Sequence, residues 1–235
     1  MASIEREKPL KPSLRTPPAA AITAIKLLVF LLCLLPALQL LLGWQADTLG
    51  ANPVETITHA SGTWTLRLLL ITLAVTPLRR LTGLHWLLRL RRMLGLFAFA
   101  WGLAHFATYL WLDQFFDWAA IAADILKRPF ITVGFAALVL MLPLALTSNR
   151  LAVRRLGGRR WQALHRSTYA IAILGVVHFW WLVKADVLEP AIYALVLAAL
   201  LGMRAWWREL ERRRQLAAAV PQARGNGRVV RIVPK

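Results

Sequence analysis

The chain has 235 residues, 58% of them hydrophobic, a mean hydropathy of +0.55, and 29 Lys and Arg against 11 Asp and Glu. Soluble domains hold roughly 45–50% apolar residues, so a typical soluble enzyme is excluded, as is disorder over most of the chain. The lone Cys33 rules out an intrachain disulfide and a cysteine-held cluster, and no CxxCH is present. A net charge of +18 would point to nucleic acid on a soluble protein; here the basic residues sit between apolar runs, and an integral membrane protein without a nucleic-acid role is expected.

Six apolar segments follow in chain order, at 19–42, 62–77, 93–112, 130–146, 168–183 and 190–207. A spanning helix needs about 20 apolar residues. The second, fourth and fifth segments fall short and need flanking residues to cross. Lys26 and Arg67 lie inside runs and can snorkel. Pro77 is predicted to end or kink the second helix, and Pro190 suits the first turn of the last. Basic residues precede the first run, but it is long and no small-residue cleavage site follows, so it reads as a retained helix.

Charge sets the expected orientation. Residues 1–26 and loops 78–93 and 147–167 carry five, five and six Lys/Arg, and the tail from Arg204 carries nine. The alternate loops 43–61, 113–128 and 183–190 carry none, two and one, together with acids. The positive-inside rule then places both termini in the cytoplasm, with tryptophans such as Trp111, Trp118, Trp180 and Trp181 outside and Trp86, Trp161, Trp206 and Trp207 inside. The expected architecture is an all-α, six-helix transmembrane bundle. It comprises a cytoplasmic segment 1–18, a membrane domain 19–207 and a basic cytoplasmic tail 208–235 suited to lipid headgroups. That tail is too short for a nucleotide-binding domain, and no GxGxxG occurs.

Ionisable side chains at bilayer depth are costly, so histidines inside the spans are functional candidates. His105 follows Arg92 by 13 residues and His178 follows Arg166 by 12, rises of about 20 and 18 Å along a helix. The two imidazoles therefore share one depth in the outer half. Two such histidines can clamp a haem iron from both faces, or can hydrogen-bond across helices without a metal. His165 precedes His178 by 13 residues, which leaves them roughly 140° apart on an ideal helix. The third segment offers only Arg92 and Met93 at the level of His165, so a second haem would lack an ordinary sixth ligand. His59, near the outer surface, fits a ligand, a quinone or propionate contact, or a plain interfacial residue. His85, beside Trp86, reads as an interfacial residue.

The stretches GANPVETITHASG (50–62), RRMLGLFAFAWGLAHFATYL (91–110), KRPFITVGF (127–135), LTSN (146–149) and GRRWQALHRSTYAIAILGVVHFWWLVK (158–184) resemble the MsrQ family. These are haem-containing membrane subunits of bacterial methionine sulfoxide reductase systems, within the wider ferric reductase-like transmembrane group. The likeness runs from about 50 to 207. It implies His105, His165 and His178 as haem-associated histidines, with His105 and His178 as axial ligands of the iron. It also implies one or two b-type haems, and FMN, for which the chain shows no flavin motif. Arg91 and Arg92 could meet a phosphate or propionate, or serve as interfacial charge. The implied role is an electron-transfer subunit of the bacterial inner membrane. Its donors are the quinone pool or a cytoplasmic flavin reductase. Its acceptor is MsrP, a periplasmic molybdopterin enzyme that reduces methionine sulfoxide in oxidised proteins, so that catalysis sits on the partner chain. A self-sufficient metalloreductase would need a fused nicotinamide domain, and a small transporter or scaffold with structural histidines is the non-redox alternative.

Overall fold

The computed structural model describes residues 17–183 and 185–219, which form helices and loops with no strand among them. The helices are α1 (Ala19–Gln45), α2 (Pro53–Thr82), α3 (Leu88–Thr108), α4 (Trp118–Lys127), α5 (Pro129–Leu146), α6 (Arg150–Leu156), α7 (Gly158–His165), α8 (Thr168–Leu182) and α9 (Leu188–Ala219). A 3-10 turn, His85–Leu87, leads into α3, and a π-helical segment, Tyr109–Asp113, leads out of it. Among the described residues, five helical stretches are long and apolar enough to cross a membrane: Ala19–Gln45, Pro53–Thr82, His85–Asp113, Pro129–Leu146 and Leu188–Ala218.

Local chemistry fixes the ends of these helices. Asn52 caps α2 by accepting from the Glu55 N–H at 3.2 Å, with Pro53 in the first turn, where its missing N–H costs nothing. At the other end Gly83 takes φ 73°, the left-handed closure that suits glycine. Asp117 caps α4 through the N–H groups of Ala119 and Ala120, both at 3.0 Å. Asn149 caps α6 through Ala152 at 2.7 Å.

Several boundaries differ from the expectation. α2 begins nine residues before position 62, because the Asn-Pro cap starts it in a polar stretch, and His59 therefore lies on this helix. It also continues through Pro77 to Thr82; neighbouring helices let membrane helices tolerate an interior proline. Loop 113–128 folds its second half into α4. The fifth segment keeps its bounds, to within a residue, as α8, but His165 is not on one continuous helix with His178: α7 ends at His165, a turn at Arg166 and Ser167 follows, and α8 begins at Thr168. α9 runs past residue 207 to Ala219, so the first part of segment 208–235 is helical. The remainder of that tail, 220–235, and residues 1–16 of the N-terminal segment lie outside the described residues.

Packing divides the bundle into two pairs. α2 lies along α3 and α5 along α8, while α3 meets α5 and α2 meets α8 over much shorter stretches. Hydrocarbon gives helices no hydrophobic reason to associate, so close backbone approach through small residues has to supply the attraction. On α3 those residues are Gly95, Ala98 and Gly102, spaced three and four apart. Ala98 is fully buried, and α2 contributes Thr72 and Thr65 opposite the glycines. On the other pair Ala137 and Ala172 are buried. The core centres on Leu73, Ala98, Ile171 and Ala172. α1 stays peripheral. Phe30 packs on Phe97 with ring centres 5.1 Å apart, and the Trp101 indole N–H donates to the Cys33 carbonyl at 3.2 Å.

Candidate functional site

His105 on α3 and His178 on α8 face each other across the junction of the two helix pairs, with ring centres 6.1 Å apart and planes at 73°. Each ring is oriented by a carbonyl on its own pair's partner helix. Nδ1 of His105 lies 2.9 Å from Thr58 O on α2, and Nδ1 of His178 lies 2.6 Å from Phe130 O on α5. A carbonyl only accepts, so both Nδ1 atoms carry the proton and both Nε2 atoms keep a lone pair. That is the usual state of a metal-ligating histidine.

The two halves of this site repeat one device. Gly62 follows Thr58 by four residues, and Gly134 follows Phe130 by four. One helical turn stacks each glycine beside the accepting carbonyl, and the bare backbone leaves room for the imidazole. A Cβ on Gly62 would come within 3.0 Å of His105 Cε1, and one on Gly134 within 2.7 Å of His178 Cε1. Ser61 adds a contact to His105 Nδ1 at 3.5 Å while donating to Thr58 O at 2.9 Å. Neither glycine is visible as functional from composition. Their signal is a residue four positions upstream whose carbonyl accepts from the ring, in THASG and FITVG, and it becomes readable only when the opposing histidine is known.

The arrangement suits a planar metal group. An imidazole nitrogen sits roughly 2 Å from a bound transition metal, so rings on opposite faces of one ion need centres about 6 Å apart. The donor set is two neutral nitrogens with apolar surroundings: Phe106 lies 5.6 Å from Phe135, and Phe130 lies 6.4 Å from the His178 ring. His59 is exposed on α2, one residue beyond Thr58.

His165 is not part of this pair. It stands at the other end of α8, stacked on Trp161 at 4.0 Å, with Nε2 3.0 Å from the Thr147 hydroxyl. Burial and the nearby Arg91 charge hold this imidazole below its ordinary pKa. It borders a cavity of ≈ 560 Å³ shared with Arg91, Arg92, Trp161, Tyr169 and Arg208. No second histidine and no carboxylate lines that cavity among the described residues. Tyr169 is overlaid by Arg204 and Arg208, at 5.3 and 5.8 Å. Arg204 also donates to Tyr169 at 3.1 Å and to the Leu73 carbonyl. The cavity therefore offers arginines and aromatic faces, which suit an anionic ring compound. His85 is exposed in the 3-10 turn.

Residues 61–176 match the ferric reductase like transmembrane component family. The chain is 62% identical over 197 residues to the protein-methionine-sulfoxide reductase heme-binding subunit MsrQ of Azospira oryzae, covering 83% of each protein. The chain belongs to the MsrQ family. The MsrQ subunits of Ralstonia nicotianae and Herminiimonas arsenicoxydans are 55% and 51% identical to it. They align over 81% and 86% of this chain, and over 88% and 94% of their own. No solved structure matches. Membership and the apolar helices together make this MsrQ-family chain a multi-pass membrane protein.

Proposed function

We propose that this MsrQ-family chain is a transmembrane electron carrier whose b-type haem is held by His105 and His178. The carrying observation is the facing pair of imidazoles, 6.1 Å apart, each with Nδ1 bound to a backbone carbonyl. Haem held there would supply a one-electron couple, with the Nε2 lone pairs of His105 and His178 free to hold its iron. Thr58 and Phe130 fix the tautomers, Gly62 and Gly134 make room, and the flanking phenylalanines keep water out. His59, exposed beside Thr58, would be the propionate contact in this reading.

The inner cavity is assigned to FMN rather than to a second haem. His165 spends Nε2 on Thr147 and has no histidine opposite, whereas Arg91, Arg92 and Arg208 suit a phosphate and Trp161 and Tyr169 suit a flat ring. Six crossings with both termini cytoplasmic fit the charge alternation, with the 15-residue α8 as the crossing beyond the five long stretches. In the bacterial inner membrane, electrons then enter from the quinone pool or from a cytoplasmic flavin reductase docked on the basic loops. They leave outward to the periplasmic molybdopterin reductase MsrP, which reduces methionine sulfoxide in damaged proteins. A shallow depression at Pro129, Phe130 and Trp181 borders the His178 carbonyl partner and marks the outward exit.

The test is haem-to-protein stoichiometry and a redox titration of the purified full chain, followed by reoxidation with the periplasmic reductase. One bis-histidine haem that passes electrons to that enzyme is expected. A colourless protein after haem-replete expression, or rapid NADH oxidation by the isolated chain, would sink the reading.

A further inference from the structure

Arg67 is the only charged residue in the apolar run 62–77 of α2. A guanidinium at such depth is costly unless it is paired. Its side chain points back toward the α2 N-terminus and lies 5.2 Å over the Trp64 ring. Nε donates to the Tyr193 hydroxyl on α9 at 2.7 Å, and Nη2 is 3.5 Å from Glu189 Oε1. The Tyr193 hydroxyl in turn donates to Glu189 Oε1 at 3.2 Å. The trio is neutral as a unit, yet it is not closed over. The side chains of Arg67 and Glu189 remain 42% and 50% exposed, and their neighbours on the same wall, Ile71, Ile192 and Val196, are exposed apolar residues. The result is a half-exposed polar break, a notch, in an otherwise apolar outer wall of the bundle. One further contact leads inward: the Tyr193 ring lies 5.9 Å from Phe179, the residue after His178.

The geometry points to a lipid-accessible hydroquinone-oxidation site formed by Trp64, Arg67, Glu189 and Tyr193, with electrons entering the His105–His178 site past Phe179. The inference rests on the reading of that pair as a haem site. Three features select the ligand class. It must arrive from the hydrocarbon side, because apolar residues frame the notch. It must have a flat ring to lie against Trp64 or Tyr193. It must also present an oxygen that can take a hydrogen bond from a guanidinium and give one to a carboxylate. A lipid phosphate satisfies Arg67 but is repelled by Glu189, whereas a hydroquinone satisfies both. Oxidation breaks the two O–H bonds and converts both ring C–O bonds to C=O. Glu189 accepts the protons one at a time and releases them to water at the head of α9. The two electrons would leave singly past Phe179 to a one-electron acceptor, a ferric haem that His105 and His178 would hold, and from there to the outward acceptor. One hydroquinone yields one quinone, two protons and two electrons.

The experiment uses the full-length, haem-loaded protein in phosphatidylcholine nanodiscs. It measures the rate at which decylubiquinol reduces the haem, and the equilibrium binding of decylubiquinone to haem-loaded and haem-free discs. Glu189→Gln and Arg67→Met should each slow that reduction about tenfold, the scale of one charge-assisted hydrogen bond. Tyr193→Phe should slow it by a smaller factor. Arg67→Met should weaken decylubiquinone binding by a similar tenfold in discs with and without haem. Haem content and full reduction by dithionite should match the wild type. Wild-type rates of decylubiquinol reduction in both Glu189→Gln and Arg67→Met would overturn the proposal. If Arg67→Met fails to fold, Glu189→Gln and Tyr193→Phe decide. Loss of binding only of phosphatidylglycerol in Arg67→Met, with decylubiquinone binding intact, would assign the notch to a lipid headgroup and overturn the quinol site. A coloured, dithionite-reducible wild type blind to decylubiquinol would remove this site and leave the haem reading standing; a colourless wild type that still binds decylubiquinone through Arg67 would do the reverse.

Discussion

His105 and His178 meet with rings 6.1 Å apart and both Nδ1 atoms spent on backbone carbonyls, whereas His165 sits alone, stacked on Trp161 and bonded through Nε2 to Thr147. The first region is symmetrical, apolar and narrow, with a glycine behind each ring. The second is a wide cavity edged with arginine. The difference teaches that a histidine's role depends on which nitrogen its surroundings leave free. At the His105–His178 pair Nε2 is spared; at His165 it is already engaged.

The sharpest way to break this contrast is to delete the rings. His105→Ala and His178→Ala are each expected to abolish the haem spectrum, and the double variant to be no worse than either, because both act on one bound group. His165→Ala should keep the full Soret band. Finding haem lost in His165→Ala and retained in His105→Ala would reverse the two assignments.

The glycines come next. Gly134→Ala brings a Cβ within 2.7 Å of His178, and Gly62→Ala within 3.0 Å of His105. Overpacking of this kind costs about 1–3 kcal/mol. Haem occupancy and thermal midpoint in detergent should fall for both, with Gly134→Ala the worse. An unchanged midpoint in Gly134→Ala would show that the ring has freedom to retreat.

At the inner cavity, Arg91→Gln and Arg208→Gln should each weaken FMN binding about tenfold, by loss of one charge-assisted contact, and leave the haem spectrum untouched. Flavin fluorescence in equilibrium dialysis reads this directly. Equal flavin retention in both variants would place the phosphate elsewhere. The smallest effect belongs to His85→Ala, an exposed turn position, where stability should move by less than about 0.5 kcal/mol and the spectrum not at all.

The residues announced much of this architecture and little of its joinery. Apolar runs marked the positions of α1, α3, α5, α8 and α9, because hydrocarbon demands length and low polarity of any helix in it. Counting 12 and 13 residues from basic anchors placed His105 and His178 at one depth, since helical rise is regular. The N-terminal reach of α2 was hidden because a polar stretch with a good cap forms a helix without an apolar signature. The break before Thr168 was hidden because nothing in HRST forbids helix; the turn comes from packing. Tyr193 and Glu189, the hydrogen-bond and ion-pair partners of Arg67, lie more than 120 residues away in the chain, and no local pattern encodes such a pairing. The same holds for Gly62 and Gly134, whose meaning depends on rings from other helices.

The division of the bundle into an α2–α3 pair and an α5–α8 pair carries a consequence for assembly. One histidine belongs to each pair, and the pairs touch each other far less than they touch internally. Anything gripped by both rings is therefore a rivet between two half-bundles, and docking of the halves is thermodynamically linked to its binding. With haem as the gripped group, cells starved of it are expected to accumulate less of the chain than replete cells, which quantitative blotting of membranes from the two cultures would read.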